Sequence, residues 1–157
     1  MEPSSVDKRI QARMEQEKSG RDPSWVRMVP RFLRMFLYRA FKGKWHLPAV
    51  SEIHVDELHD RIEADRQPVL IDVRFSGEFD TGFGHIPGSH SIPIHELETR
   101  LDEARPFMER EVVTICPGGG MSLVAAEMLA EAGFQDVKSL KGGIDLWFKK
   151  GYPTTRS

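Results

Sequence analysis

A chain of 157 residues with 39% hydrophobic and 29% charged side chains suits one ordinary globular domain with length to spare, and excludes a disordered polymer. Its single cysteine excludes an internal disulfide and leaves two readings open, a reducing compartment or a reactive thiol. The net charge of −2 divides unevenly: zero over residues 1–23, +6 over residues 24–47, and so −8 over residues 48–157.

Residues 1–22 mix both charge signs and lack the apolar core of a signal peptide, and no apolar run approaches the roughly 18 residues of a membrane span. A cytoplasmic protein is expected. In the basic stretch that follows, Pro30 suits a first helical position and Gly43 a stop, which predicts a helix over residues 30–42. Phe32, Leu33, Phe36, Leu37 and Phe41 recur at helical spacing, while Arg27, Arg31 and Arg34 gather on another side. Three roles are open to this helix: packing on the domain, guiding an acidic partner protein, or peripheral contact with an anionic membrane. The chain therefore divides into a polar tail with a basic amphipathic helix, residues 1–47, and a body, residues 48–157.

The body alternates strand and helix patterns. "SEIHVDELHDRIEAD" reads as a brief strand and a helix, and "PVLIDVR" (68–74) as a buried strand, followed by a turn and helix through "SGEFDTG". "GHIPGSHSIP" (84–93) is a loop and short strand, and "HELETRLDEA" an amphipathic helix. "EVVTIC" is a central strand ending at Cys116, "LVAAEMLAEAG" a long helix, "DVKSL" the last strand and "GGIDLWFKKGYP" a closing helix and tail. Such alternation predicts an α/β fold, a parallel sheet covered on both faces, with ligands at the carboxyl ends of its strands. Asp72, Arg74 and Cys116 fall at such ends.

Between the central strand and the long helix stands "CPGGGMS", residues 116–122. A strand that turns at once into a helix gathers backbone N–H groups into one concavity, and glycines let the backbone curl without obstruction. The positive helix terminus adds to it. A thiol there should be held as thiolate, the nucleophilic form, and an anionic group on the sulfur would meet the same donors. Cys116 is thus the candidate nucleophile, with the backbone of Pro117, Gly118, Gly119, Gly120, Met121 and Ser122 as the substrate cradle. A buried structural cysteine beside a glycine turn is the plainer alternative.

From about Val50 to Pro153 the chain resembles the rhodanese family of sulfurtransferases. The resemblance rests on "LIDVR" (70–74), Glu78-Phe79, "GHIPGSHSIP", the strand into the cysteine loop, "LKGGIDLW" (140–147) and "GYP" (151–153). It implies a five-stranded parallel sheet between helices and a persulfide cycle. Cys116 would take the sulfane sulfur of a donor such as thiosulfate and pass it to a thiol or other nucleophilic acceptor. The fold's dual-specificity phosphatase relatives need a longer loop closed by an arginine; no arginine lies between Cys116 and the helix, which argues against phosphate hydrolysis. Many sulfurtransferases place a cation where this loop has Met121. That substitution points to a less charged donor, glutathione persulfide or a partner protein's persulfide. The rival reading is a rhodanese-like interaction or relay module with little turnover.

Asp72 and Arg74 flank Val73 and so point to one side. They are read either as framing the pocket or as a structural ion pair. Glu78 is expected to anchor a turn, and His85, within "GHIPG", to bond backbone groups. Gly142, Gly143 and Trp147 belong near the pocket wall by resemblance, Trp147 as core. The six histidines form no ligand-spaced cluster with the cysteine, so no metal is expected. No organic cofactor and no nucleic-acid partner are expected.

Overall fold

The computed structural model describes residues 50–156, and the basic helix expected at 30–42 lies outside them. Five strands run in chain order: β1 (Ser51–His54), β2 (Val69–Asp72), β3 (Ser89–Ser91), β4 (Glu111–Ile115) and β5 (Asp136–Lys141). Every pairing is parallel, in the order β1-β5-β4-β2-β3, so β4 is the middle strand. Parallel neighbours need crossovers. Helices α1 (Val55–Glu63), α3 (Gly120–Glu131) and α4 (Gly143–Lys149) cover the sheet, and a one-turn α2 (Leu101–Ala104) runs into a 3₁₀ turn at Arg105–Phe107.

Period-two alternation decides which residues meet which helix. Ile53, Leu70, Val113, Ile115 and Leu140 join Val55 and Leu58 of α1 and Ile144 and Trp147 of α4 in one core cluster. Each large side chain enclosed there contributes roughly 1.5–3 kcal/mol through removal from water. The opposite face carries Val112 and Thr114 of β4 in register with Val137 and Ser139 of β5. Helix α3 packs over these two strands, burying Val124, Ala125, Met128 and Leu129. It ends where Phe134 N–H reaches back to the Leu129 carbonyl at 3.1 Å, closing the last turn.

Two expected helices are replaced by turns. "SGEFDTG" has no helix; Glu78 N–H donates to the Phe75 carbonyl at 2.9 Å and the chain turns again at once. In "HELETRLDEA" only Leu101–Ala104 is α-helical. Upstream, the Ile92 and Ile94 amides are held by the Asp72 and Val73 carbonyls at 3.0 Å each, which keeps the chain extended along the sheet. The Thr99 hydroxyl then donates to the Glu96 carbonyl at 2.9 Å, a local bond that competes with helix continuation. Among the described residues no helix is long and apolar enough to cross a membrane.

Candidate active site

Cys116 stands one residue beyond β4, at 1% exposure, where the middle strand gives way to the glycine loop. Gly119, at φ 95°, curls the loop so that its N–H donates to Cys116 Sγ at 3.0 Å. Only glycine suits that conformation, and a Cβ there would also press on the Gly142 nitrogen at 3.2 Å and the Leu140 carbonyl at 3.3 Å. Ser122, in the first turn of α3, sets its hydroxyl 3.3 Å from the sulfur and 2.7 Å from the Ser139 hydroxyl. Below them Thr114 donates to the Ser122 carbonyl at 2.8 Å, tying the start of α3 to the strand that carries the cysteine.

The back of the loop rests on α4. Ile144 N–H donates to the Cys116 carbonyl at 2.9 Å and Asp145 N–H to the Pro117 carbonyl at 3.1 Å. Gly143, at φ 61°, permits this approach, since a Cβ would lie 2.2 Å from both carbonyl oxygens. With the Pro117 carbonyl facing α4, the trans peptide turns the Gly118 N–H the other way.

Beside Pro117 opens a cleft of about 170 Å³, lined also by Arg74, Glu78, Thr81, Phe83 and Asp145. Its charge is mostly engaged. Arg74 Nε donates to both Asp72 oxygens at 2.9 and 3.0 Å, and its Nη2 donates to Asp72 at 2.6 Å and to the Gly84 carbonyl at 2.8 Å. Both residues are buried, so the pair is a structural clamp whose guanidinium edges the cleft. Glu78 accepts the Phe75 N–H at 3.0 Å. Phe83 stacks at 4.1 Å on Phe148 of α4, and both side chains remain a little under half exposed.

Of the residues singled out in sequence, Cys116, Gly119 and Ser122 converge on the sulfur; Pro117, Arg74 and Glu78 line the cleft. Gly118 and Gly120 are exposed, and Met121 is half-buried in the first turn of α3. His85 lies elsewhere: its Nδ1 pairs with the Phe79 carbonyl at 3.0 Å, its ring stacks on Phe79 at 3.6 Å, and its backbone pairs with Thr155. Trp147 is core, its Nε1 donating to the Pro153 carbonyl at 2.9 Å. Thr114 and Ser139 were missed, and so was Asp145 in the cleft lining. The only signal was for Thr114, a hydroxyl among apolar neighbours in its strand; Ser139, between Lys138 and Leu140, gave none.

The model of the rhodanese-like domain matches residues 54–150, a span containing the whole constellation. The chain belongs to the rhodanese-like family. Among rhodanese-like relatives, a sulfurtransferase of Allochromatium vinosum is 32% identical over 66% of this chain and 94% of its own length. A thiosulfate sulfurtransferase, GlpE, of Shewanella oneidensis is 32% identical over 64% of this chain and 95% of its own. The crystal structure of a rhodanese-related protein from Thermoplasma volcanium superposes with a TM-score of 0.57 at 31% identity, covering 66% of this chain and 95% of that one.

Proposed function

We propose that this rhodanese-like protein is a sulfurtransferase in which Cys116 carries the sulfur as a persulfide. The observation that carries the reading is the sulfur's setting: Sγ at the end of the middle strand, with the Gly119 N–H at 3.0 Å and the Ser122 hydroxyl at 3.3 Å. The N–H donates to the sulfur, and the hydroxyl, which accepts the S–H of the thiol, can turn to donate to a thiolate, the form that attacks sulfur. In the first half-reaction the thiolate attacks the donor's outer sulfur. The donor's bond to that sulfur breaks, and its electron pair leaves with the donor remnant. In the second, an acceptor nucleophile attacks the outer sulfur of the Cys116 persulfide, and the S–S electron pair returns to Sγ. No net oxidant is needed.

The cleft's charge favours a donor less anionic than thiosulfate. Arg74 is the cation among its described lining residues, and Asp72 already holds it, while the acidic residues Glu78 and Asp145 line the same space. A persulfide on glutathione or on a partner protein, whose leaving atom is a singly charged thiolate sulfur and not a sulfite, suits this balance, with a thiol as acceptor. A purely recognising module would have no use for a thiol held between an N–H donor and a hydroxyl, which favours turnover.

Intact-mass measurement after exposure to sulfur donors tests the reading. The protein should gain one sulfur atom, and Cys116→Ser should gain none while staying folded. Sulfur retained by the folded serine variant would exclude the mechanism, since the chain has no other thiol.

A further inference from the structure

The Ser139 hydroxyl has no part in the chemistry described so far. It is fully enclosed on β5, and among the described residues its hydrogen-bond partner is the Ser122 hydroxyl. Ser122 in turn reaches Cys116 Sγ, so three side chains from β5, α3 and the end of β4 form one buried line. The neighbouring hydroxyl on the same face, Thr114, directs its proton to the carbonyls of Ser122 and Lys138, at 2.8 and 3.2 Å. It therefore fixes the backbone of Ser122 and leaves the Ser122 side chain to Ser139.

Each hydroxyl has one proton to give. With Cys116 as a thiol, S–H donates to Ser122, Ser122 donates to Ser139, and the Ser139 proton finds no acceptor in the line. With Cys116 as thiolate the order reverses. Ser139 donates to Ser122, Ser122 donates to the sulfur, and every proton in the line is used. The enclosed surroundings make this difference count, because the three side chains are at most 1% exposed and a buried unused donor is costly.

We infer that Ser139 is a positioning residue, orienting Ser122 so that its proton faces Cys116 Sγ whenever that sulfur is charged. The inference deepens the sulfurtransferase reading by assigning a support for the charge that the cysteine bears before loading and recovers on discharge. It extends to the chain's reactivity with any electrophile, so it can be judged even if sulfur transfer is not the activity.

The test is alkylation of the full-length protein by iodoacetamide across pH, Cys116 being its sole thiol. Ser139→Ala should react on the order of threefold more slowly near pH 6, and at the parent rate near pH 10, above the ordinary range of free thiols. Ser122→Ala should show at least the same deficit, and adding Ser139→Ala to it should change nothing further, because Ser139 acts through Ser122. A parent-like rate at every pH would overturn the inference. So would an equal deficit at every pH, the mark of general distortion, or a full additional deficit in the double variant. Failure of the parent to take up sulfur in the mass assay would sink the sulfurtransferase proposal alone, leaving this result to stand on its own.

Discussion

At the scale of single residues, Cys116 and its loop were legible because a lone thiol before a run of glycines has few uses other than a concave, N–H-rich turn. The hydroxyls beneath it were not. Thr114 and Ser139 look like ordinary strand residues until the register of β4 and β5 brings them to one face under α3. Charge at the loop offers a direct test of donor choice. Met121→Arg should raise thiosulfate turnover on the order of tenfold, since a cation near the departing sulfite would offset developing negative charge. Steady-state kinetics with thiosulfate measure it, and an unchanged rate in a folded variant would refute charge as the limit. The Asp72–Arg74 clamp predicts a different outcome. Arg74→Met strands the Asp72 carboxylate at 1% exposure, and should cost about 3–5 kcal/mol in denaturant unfolding.

At the scale of elements, the strands β2 and β4 were readable because buried parallel strands announce themselves as apolar runs, whereas the strand order comes from tertiary pairing. Helices were less readable. Amphipathic spacing in "HELETRLDEA" predicts one long helix, but backbone pairing at Ile92 and Ile94 and the Thr99 side-chain bond leave room for one turn. The resemblance put Gly142 and Gly143 near the pocket wall, but the backbone contact between α4 and the cysteine loop was hidden, because it depends on tertiary approach and not on pattern. It is nonetheless the firmest constraint on the site. Gly143→Ala would place a methyl 2.2 Å from the Cys116 and Pro117 carbonyls in a left-handed backbone, so loop and helix must part. Stability should fall by more than about 2 kcal/mol, and sulfur uptake should fall at least tenfold at temperatures where the variant remains folded. Thermal melts and intact-mass kinetics read the two effects separately. A variant with parent-like uptake would mean that the loop does not need its seat on α4.

At the scale of the whole molecule, the described body separates chemistry from anchorage along the strand direction. The cysteine loop, cleft and α4 contact lie at the carboxyl ends of the strands. At the amino ends of β4 and β5, Glu111 collects Arg61 of α1, with bonds of 2.6 and 2.8 Å, and Lys138 of β5, which also leans on Asp136 at 3.3 Å. Burial alone would push the Glu111 carboxyl up, but the hydrogen bonds from Lys138 and Arg61 outweigh it and hold it below its ordinary 4.5. A carboxylate lowered by folding contributes stability above its unfolded value, and loses that contribution as pH falls through the folded one. Lys138 is likewise subject to burial that opposes its charge, yet bonds to Glu111 and Asp136 raise it above 10.5, so its contribution is complete below that value and is lost only in strong alkali. The node should therefore support the fold from about pH 4.5 to 10.5 and weaken on acidification. Glu111→Gln should lower unfolding stability by about 1–2 kcal/mol at pH 7, and should lose less than the parent does between pH 5 and pH 3. Denaturant unfolding across that range measures it, and parallel acid limbs for the two proteins would count against Glu111 as the acid-sensitive group. Because the node sits at the opposite ends of the strands from Cys116, the same variant should load sulfur at the parent rate at pH 7. A large loss of uptake in folded Glu111→Gln would show that the two ends of the sheet are not independent.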